Sequence, residues 1–207
     1  MITKNRQSRE TIINMAQKAF PDKQITEIKE LTEGMCNVTY DIAFGDGSES
    51  ILKIAAKDRS GNTSNEVNLM QAEVNAMRSV AGKCSCKVAD VQYYDTSNTV
   101  CDGNYFFMEK LPGDNFFLIR ESLTEEEIAG IHKEIGKISK ELSNIQNSEF
   151  GFLGDEIRFV TLYDFVKYML MNLISDAEKK NIDLGYDKQF FMEQLERDKD
   201  FFKEVTH

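Results

Sequence analysis

The spacing of apolar residues changes near the middle of this chain. In the first half they alternate in short runs, as strands do. Beyond residue 113 they recur every three or four positions, as helices do. Ahead of the strands, Ile12, Ile13, Ala16, Ala19 and Phe20 make one apolar face and predict a helix over Ser8–Phe20, stopped by Pro21-Asp22. Ile25–Thr32 reads as a strand of weak period. Asn37–Phe44 is stronger, with Val38, Tyr40, Ile42 and Phe44 alternating with polar partners. Gly45-Asp46-Gly47 predicts a hairpin turn into a strand over Ser50–Ala55, which completes a three-stranded antiparallel meander. Asp58–Asn65 is polar and predicts a loop. Asn65–Ala81 predicts a helix capped by Gly82. Val88–Tyr94 and Asn104–Met108 predict two further strands, joined by the turn-rich Asp95–Gly103 and closed at Leu111-Pro112-Gly113.

Beyond that break the pattern is helical. Thr124 and Glu127 form a capping box for a helix running to about Asn144, with Ile128, Ile131, Ile135, Ile138 and Leu142 as its stripe. Phe150-Gly151-Phe152-Leu153-Gly154 reads as an aromatic turn. Thr161 and Asp164 open a helix carrying Phe165, Tyr168, Met169, Leu173 and Ile174, broken at Asp183–Gly185. A last helix is expected over Asp187–Lys203, with Phe190, Phe191, Leu195 and Phe202. The expected fold is therefore α+β. A five-stranded antiparallel sheet with an inserted helix fills residues 1–113, a hinge lies at 109–113, and a mainly helical lobe fills 114–207. No internal repeat or low-complexity segment interrupts it.

Composition narrows the function classes. The 207 residues are 41% hydrophobic and 29% charged, with a net charge of −10. That balance argues against non-specific nucleic-acid binding and against an anionic membrane surface, and it is compatible with a cationic small-molecule substrate. Met1–Arg9 is polar with no apolar signal core, and no run approaches the roughly 18 apolar residues of a membrane span, so a cytoplasmic location is expected. The cysteines are Cys36, Cys84, Cys86 and Cys101. Cys84-x-Cys86 is too tight for the common zinc spacing, and His132 and His207 are the only histidines. Reduced thiols and no metal site are expected.

One residue in the first half stands out chemically. Lys53 sits in the apolar run Ile51-Leu52-Lys53-Ile54-Ala55, where a charge is costly to bury without a partner. On a strand it shares a face with Ile51 and Ala55, so it belongs to the wall of a core or cleft, or it snorkels from an edge strand. Twenty positions on, Glu73 falls in a helical stripe with Leu69, Ala76 or Met77, and Val80. A carboxylate there needs a cation, and Lys53 is the nearest one on the preceding sheet. Glu66, seven residues earlier on nearly the same face, is the rival, and a solvated Glu73 at the stripe's boundary is the alternative. Thr32–Val38, with Gly34 and Asn37, lies between the first two strands, where exposed N–H groups could cradle phosphate oxygens or simply turn a hairpin. Phe106-Phe107-Met108-Glu109-Lys110-Leu111-Pro112-Gly113 runs from apolar strand to break, either a nucleotide-contacting hinge or a plain linker.

These elements, in this order, resemble the aminoglycoside phosphotransferase family, within the wider group of choline kinase-like and fructosamine kinase-like proteins of protein-kinase-like fold. The matching residues are Gly34…Asn37…Tyr40, Ile51-Leu52-Lys53-Ile54, Ala72-Glu73-Val74…Met77, Met108-Glu109…Leu111-Pro112-Gly113, and the helix leading to Ser143-Asn144-Ile145 and Phe150-Gly151. The resemblance covers most of residues 25–155. It implies ATP as cofactor, with Lys53 on its α- and β-phosphates, Glu73 orienting Lys53, and Gly34 to Asn37 covering the phosphates. Met108 and the backbone near Glu109 and Leu111 would hold adenine. It also implies an acidic substrate pocket built mainly by C-terminal helices. The family's His-x-Asp, with a downstream Asn and a Mg²⁺-binding Asp, is absent, and Ser143 stands where the family often has histidine. The Mg²⁺ ligands therefore belong to a part of the pattern that this sequence lacks. The expectation is the N-terminal part of an ATP-dependent small-molecule phosphotransferase, inactive by itself, or alternatively a kinase-like module that binds nucleotide or a partner without turnover. A third possibility is an interaction domain in which Lys53 and Glu73 form only a structural ion pair.

Overall fold

The computed structural model describes residues 5–32, 37–57 and 61–205. Gly34 of the expected phosphate loop and Cys36 fall outside them. Five strands form one antiparallel sheet: β1 (Ile25–Leu31), β2 (Val38–Phe44), β3 (Glu49–Ile54), β4 (Val91–Asp95) and β5 (Tyr105–Glu109). Their order is β1-β2-β3-β5-β4, so the opening meander is as expected and β5 inserts between β3 and β4.

Helix α1 (Arg9–Ala19) begins where Ser8 accepts the Thr11 N–H, and it lays Ile12, Met15 and Ala16 on one face of the sheet. That face carries Val38, Tyr40, Ile42, Phe44, Leu52, Ile54, Tyr105 and Phe107, the even-numbered side of β2 and β3 and the odd-numbered side of β5. Each such burial contributes about 1.5–3 kcal/mol, which makes this layer the main source of stability in the sheet. Phe20 closes its edge against Phe44 and Phe107, with ring centres 5.4 and 5.1 Å apart. At the end of α1, Lys18 Nζ donates to Asp95 at 2.6 Å and also to Ser97 and Thr99, tying the helix to the β4–β5 connection.

Several boundaries move. β4 starts at Val91 rather than Val88, because Asp90 is engaged by Glu109 and the register slips between Val91 and Tyr93. Helix α2 (Leu69–Val80) starts four residues later than expected, because Glu66 accepts from the N–H and hydroxyl of Thr63 and holds a turn there. Gly82, at φ +71, ends α2 as expected. A short helix not anticipated from the sequence, α3 (Phe116–Ile119), is capped by Asn115 and runs into a 3-10 turn over Arg120–Ser122. α4 (Glu125–Leu142) carries the full Thr124–Glu127 capping box. α5 (Leu162–Lys180) is capped by Thr161 and ends at Asn181 in the left-handed region. The last expected helix divides into α6 (Lys188–Arg197) and a 3-10 segment over Lys199–Glu204, with Asp198 between them.

The chain separates into two compact units. One comprises residues 1–59 and 76–145, the other residues 60–75 and 146–207. This division differs from a boundary at residue 113: α3 and α4 fall with the sheet, and the segment before α2, with that helix's first half, falls with the C-terminal helices. In the second unit, Phe152 packs on Phe165 and Phe159 on Tyr168, with ring centres 5.0 and 5.1 Å apart, while paired hydrogen bonds join the Phe150 and Phe159 backbones. Asp176 of α5 accepts from the N–H and hydroxyl of Ser64, and Asn75 of α2 donates to the Leu153 carbonyl at 2.7 Å. Gly154 is forced to be glycine by this docking, since a Cβ there would lie 2.6 Å from the Asn68 carbonyl oxygen. Among the described residues, no helix is long and apolar enough to cross a membrane.

Candidate functional site

Strand register puts Lys53 on the sheet face opposite α1. It pairs with Thr39 of β2 and Phe106 of β5, and two residues along the same face Ile51 pairs with Asp41 and Met108. That stretch of β3 and β5 therefore offers an apolar floor of Ile51, Phe106 and Met108 with the Lys53 ammonium at its end, beside the polar Thr39 and Asp41 of β2. Lys53 is half-buried, and its Nζ lies 5.8 Å from the centre of the fully buried Phe106 ring. An ammonium at that distance gains from the ring's negative face. Lys53 is thus neither a free surface lysine nor one deep in the core.

The expected hinge residues lie at the far end of the same strand pair. Glu109 closes β5. Its N–H donates to the Asp90 carbonyl at 2.9 Å, and its carboxylate accepts from Lys87 at 2.8 Å and from the Asp90 N–H at 3.3 Å. The bond from Lys87, helped by the Asp90 N–H, holds the Glu109 carboxyl below its usual range. Lys110 reaches back across the sheet to Asp41 and Glu49, at 2.7 Å each, and those two bonds push its ammonium pKa up. Side chains thus fix the strand end from both sides, which aims the backbone of residues 109–111. Leu111 lies beyond the strand, exposed. The pinning leaves Asp41 Oδ1 buried without a partner among the described residues.

Glu73 sits in the middle of α2, half-buried. The stripe that α2 buries runs through Met70 and Val74, one position over from the expected Leu69–Glu73 line, and Leu69 is 47% exposed. Glu73 flanks that stripe. The rival, Glu66, lies outside the helix in its turn with Thr63. Lys53 belongs to the first compact unit and Glu73 to the second, and neither is without a partner. Asn37 precedes β2, half-buried and likewise engaged. The structure thus brings Lys53 and Met108 onto one sheet face and fixes Glu109 at its end. Sequence pattern alone missed the contributions of Phe106, Lys87 and Lys110. Phe106 was legible from the period of two, once β5 was known to pair with β3. The lysines were not, because their partners are distant in sequence.

No protein-family model matches the chain, and no curated protein matches it. Solved structures do. The GDP complex of wild-type aminoglycoside 2'-phosphotransferase-IIIa aligns with a TM-score of 0.55 at 15% identity, over 92% of this chain and 59% of that one. Aminoglycoside phosphotransferase APH(4)-Ia aligns with 0.51 at 13% identity, over 83% and 51%. The GDP and kanamycin complex of APH(2")-IIia aligns with 0.50 at 15% identity, over 85% and 53%. The likeness is one of fold: the sheet, its inserted helix and the helices that follow are those of the aminoglycoside phosphotransferase-like kinase fold. The chain spans between 51% and 59% of the length of these three proteins.

Proposed function

We propose that this chain is the nucleotide-holding part of an ATP-dependent phosphotransferase acting on a hydroxyl of an aminoglycoside-like or other small, cationic substrate. The observation that carries the proposal is Lys53, an ammonium on the sheet face opposite α1, beside the apolar side chains Ile51, Phe106 and Met108. Such a face suits a flat base and a polyphosphate together. In this proposal Lys53 takes α- and β-phosphate oxygens, Gly34 and Asn37 belong to the covering loop, and Met108 with the backbone at Glu109 and Leu111 meets the base. Glu73 enters from the sequence pattern as the carboxylate that orients Lys53. The fold supports the proposal, as does the nucleotide named for two of the compared structures, which are GDP complexes.

The 207 residues contain no His-x-Asp with a following Asn and Asp. Without those groups phosphoryl transfer lacks a positioned acceptor and most of its charge neutralisation. That observation favours a second reading beside the first, a module that binds nucleotide and does not turn it over. Thermal unfolding and calorimetric titration with ATP and with GTP, each with Mg²⁺, test both. The wild-type chain is expected to gain stability with at least one of the two, Lys53→Ala to lose that gain while unfolding near the wild-type temperature without nucleotide, and neither to release phosphate. No gain from either nucleotide in the wild type would overturn the binding role. Steady turnover by this chain alone would overturn the second reading.

A further inference from the structure

Between α2 and β4 the chain runs Lys83-Cys84-Ser85-Cys86-Lys87. The two thiols turn toward each other, with Cys84 Sγ and Cys86 Sγ 3.1 Å apart. Both are half-buried, within reach of a small solute, whereas Cys101 is buried and its S–H points to the Gly103 carbonyl at 3.2 Å. The surrounding backbone is fixed at two points: the Lys83 N–H returns to the Val80 carbonyl at 3.0 Å and the Ser85 N–H donates to the Glu141 carboxylate of α4; beyond them the Lys87 side chain pairs with Glu109 at 2.8 Å. The pair is therefore gathered by the fold rather than by chance rotation of two exposed side chains.

No step of phosphoryl transfer calls for two adjacent thiols. Among the described residues no group of three His, Cys, Asp or Glu side chains could hold a metal ion. Two sulfurs in contact, accessible to a small molecule and flanked in sequence by lysines, suit a two-electron reaction between themselves.

We propose that Cys84 and Cys86 form a reversible dithiol–disulfide site whose oxidant is a hydroperoxide. The Cys84 thiolate attacks the peroxide oxygen; the S–O bond forms, the O–O bond breaks, and the alcohol or water leaves. The Cys86 sulfur then attacks the sulfenic sulfur, the S–S bond forms, and water leaves with the second thiol proton. Two electrons pass from the thiols to the peroxide, and two small-molecule thiols restore the dithiol by exchange. The hydrogen bond to Cys84, together with burial, pushes the Cys86 thiol pKa up, which accords with Cys84 as the first nucleophile. Closure happens just past the end of α2 and reorients the Ser85 peptide, so the bond to Glu141 is the contact it would loosen.

The test treats the intact protein with stoichiometric hydrogen peroxide and maps its peptides without reduction. The wild type and Cys101→Ser should each yield a peptide spanning residues 84–86 that is lighter by two hydrogens and is restored by reduced glutathione. Cys84→Ser and Cys86→Ser should each yield none. Sulfinic acid at either position without the internal link would overturn the proposal. So would a link from either residue to Cys36, to Cys101 or to another chain. The wild-type measurement decides by itself, whatever the variants do to folding.

Discussion

Lys53 and Phe106 face each other across the β3–β5 pair, with the lysine Nζ 5.8 Å from the centre of the aromatic ring. The ring is fully buried and cannot move away, so it gives the ammonium a resting position on that face. Such contacts contribute about 0.5–1 kcal/mol when partly exposed. A double-mutant cycle built from Lys53→Met and Phe106→Leu, read by urea unfolding, should return a coupling energy of that size. Additive effects would show that the ring does not hold the lysine.

Asp95 anchors the end of α1 to the sheet. Burial by itself would raise its carboxyl pKa, but bonds from Lys18, from the hydroxyl and N–H of Ser97, and from Tyr105 outweigh burial and hold it well below the usual carboxylate range. A depressed folded pKa contributes stability that is complete above the unfolded value, about 3.9, and is lost as pH falls through the folded one. Lys18 has the opposite sign: its raised pKa adds stability below about pH 10.4 that is lost at higher pH. Asp95→Ala should cost about 1–3 kcal/mol at neutral pH, because the buried Tyr105 hydroxyl loses its acceptor. It should also flatten the acid limb of a urea-midpoint profile taken between about pH 2 and 7. An acid limb as steep as that of the wild type would place the sensitivity elsewhere.

Much of the sheet was legible because burial on one face imposes a period of two. Val38, Tyr40, Ile42 and Phe44 announce β2, and all four are buried against α1. The caps at Ser8, Thr124, Thr161 and Asp187 mark true helix starts, since each satisfies an N–H that would otherwise be orphaned. The start of α2 was misread because Glu66 is spaced like a helical residue yet spends its carboxylate on Thr63. The stripe of that helix was misread by one position because Leu69 and Met70 are both apolar, and tertiary packing chose Met70. At the candidate site Lys53 was visible as a charge in an apolar run. The pinning of Glu109 and Lys110 was not, because it depends on strand order, which periodicity does not encode.

Two glycines should respond to alanine with opposite signs. At Gly154 a Cβ would lie 2.6 Å from the Asn68 carbonyl oxygen and 3.2 Å from the Ala72 Cβ, and neither neighbour is a flexible side-chain end. Gly154→Ala should destabilise the protein by about 1–3 kcal/mol through overpacking. Gly136 lies inside α4 with nothing within 4 Å of its would-be Cβ. Gly136→Ala should stabilise the protein by about 0.5–1 kcal/mol through helix propensity. Denaturant midpoints measure both, and a neutral Gly154→Ala would show that the docking of residues 67–72 on this turn is loose.

Lys110 joins Asp41 of β2 and Glu49 of β3 to the end of β5, and the arrangement leaves Asp41 with one buried oxygen unpaired. The Asp41 side chain is only 19% exposed, so removing its cation would strand a carboxylate that water reaches poorly. Lys110→Met should cost about 1–3 kcal/mol, less than the full penalty of a deeply buried pair because Lys110 itself remains partly solvated. Asp41→Leu removes the charge and its unpaired oxygen together, so the double variant should be more stable than Lys110→Met alone. That ordering separates a stranded carboxylate from simple loss of a tether. If the double variant is instead the less stable of the two, the tether between β5 and the centre of the sheet is what stabilises this end of the strand, and the unpaired oxygen costs little.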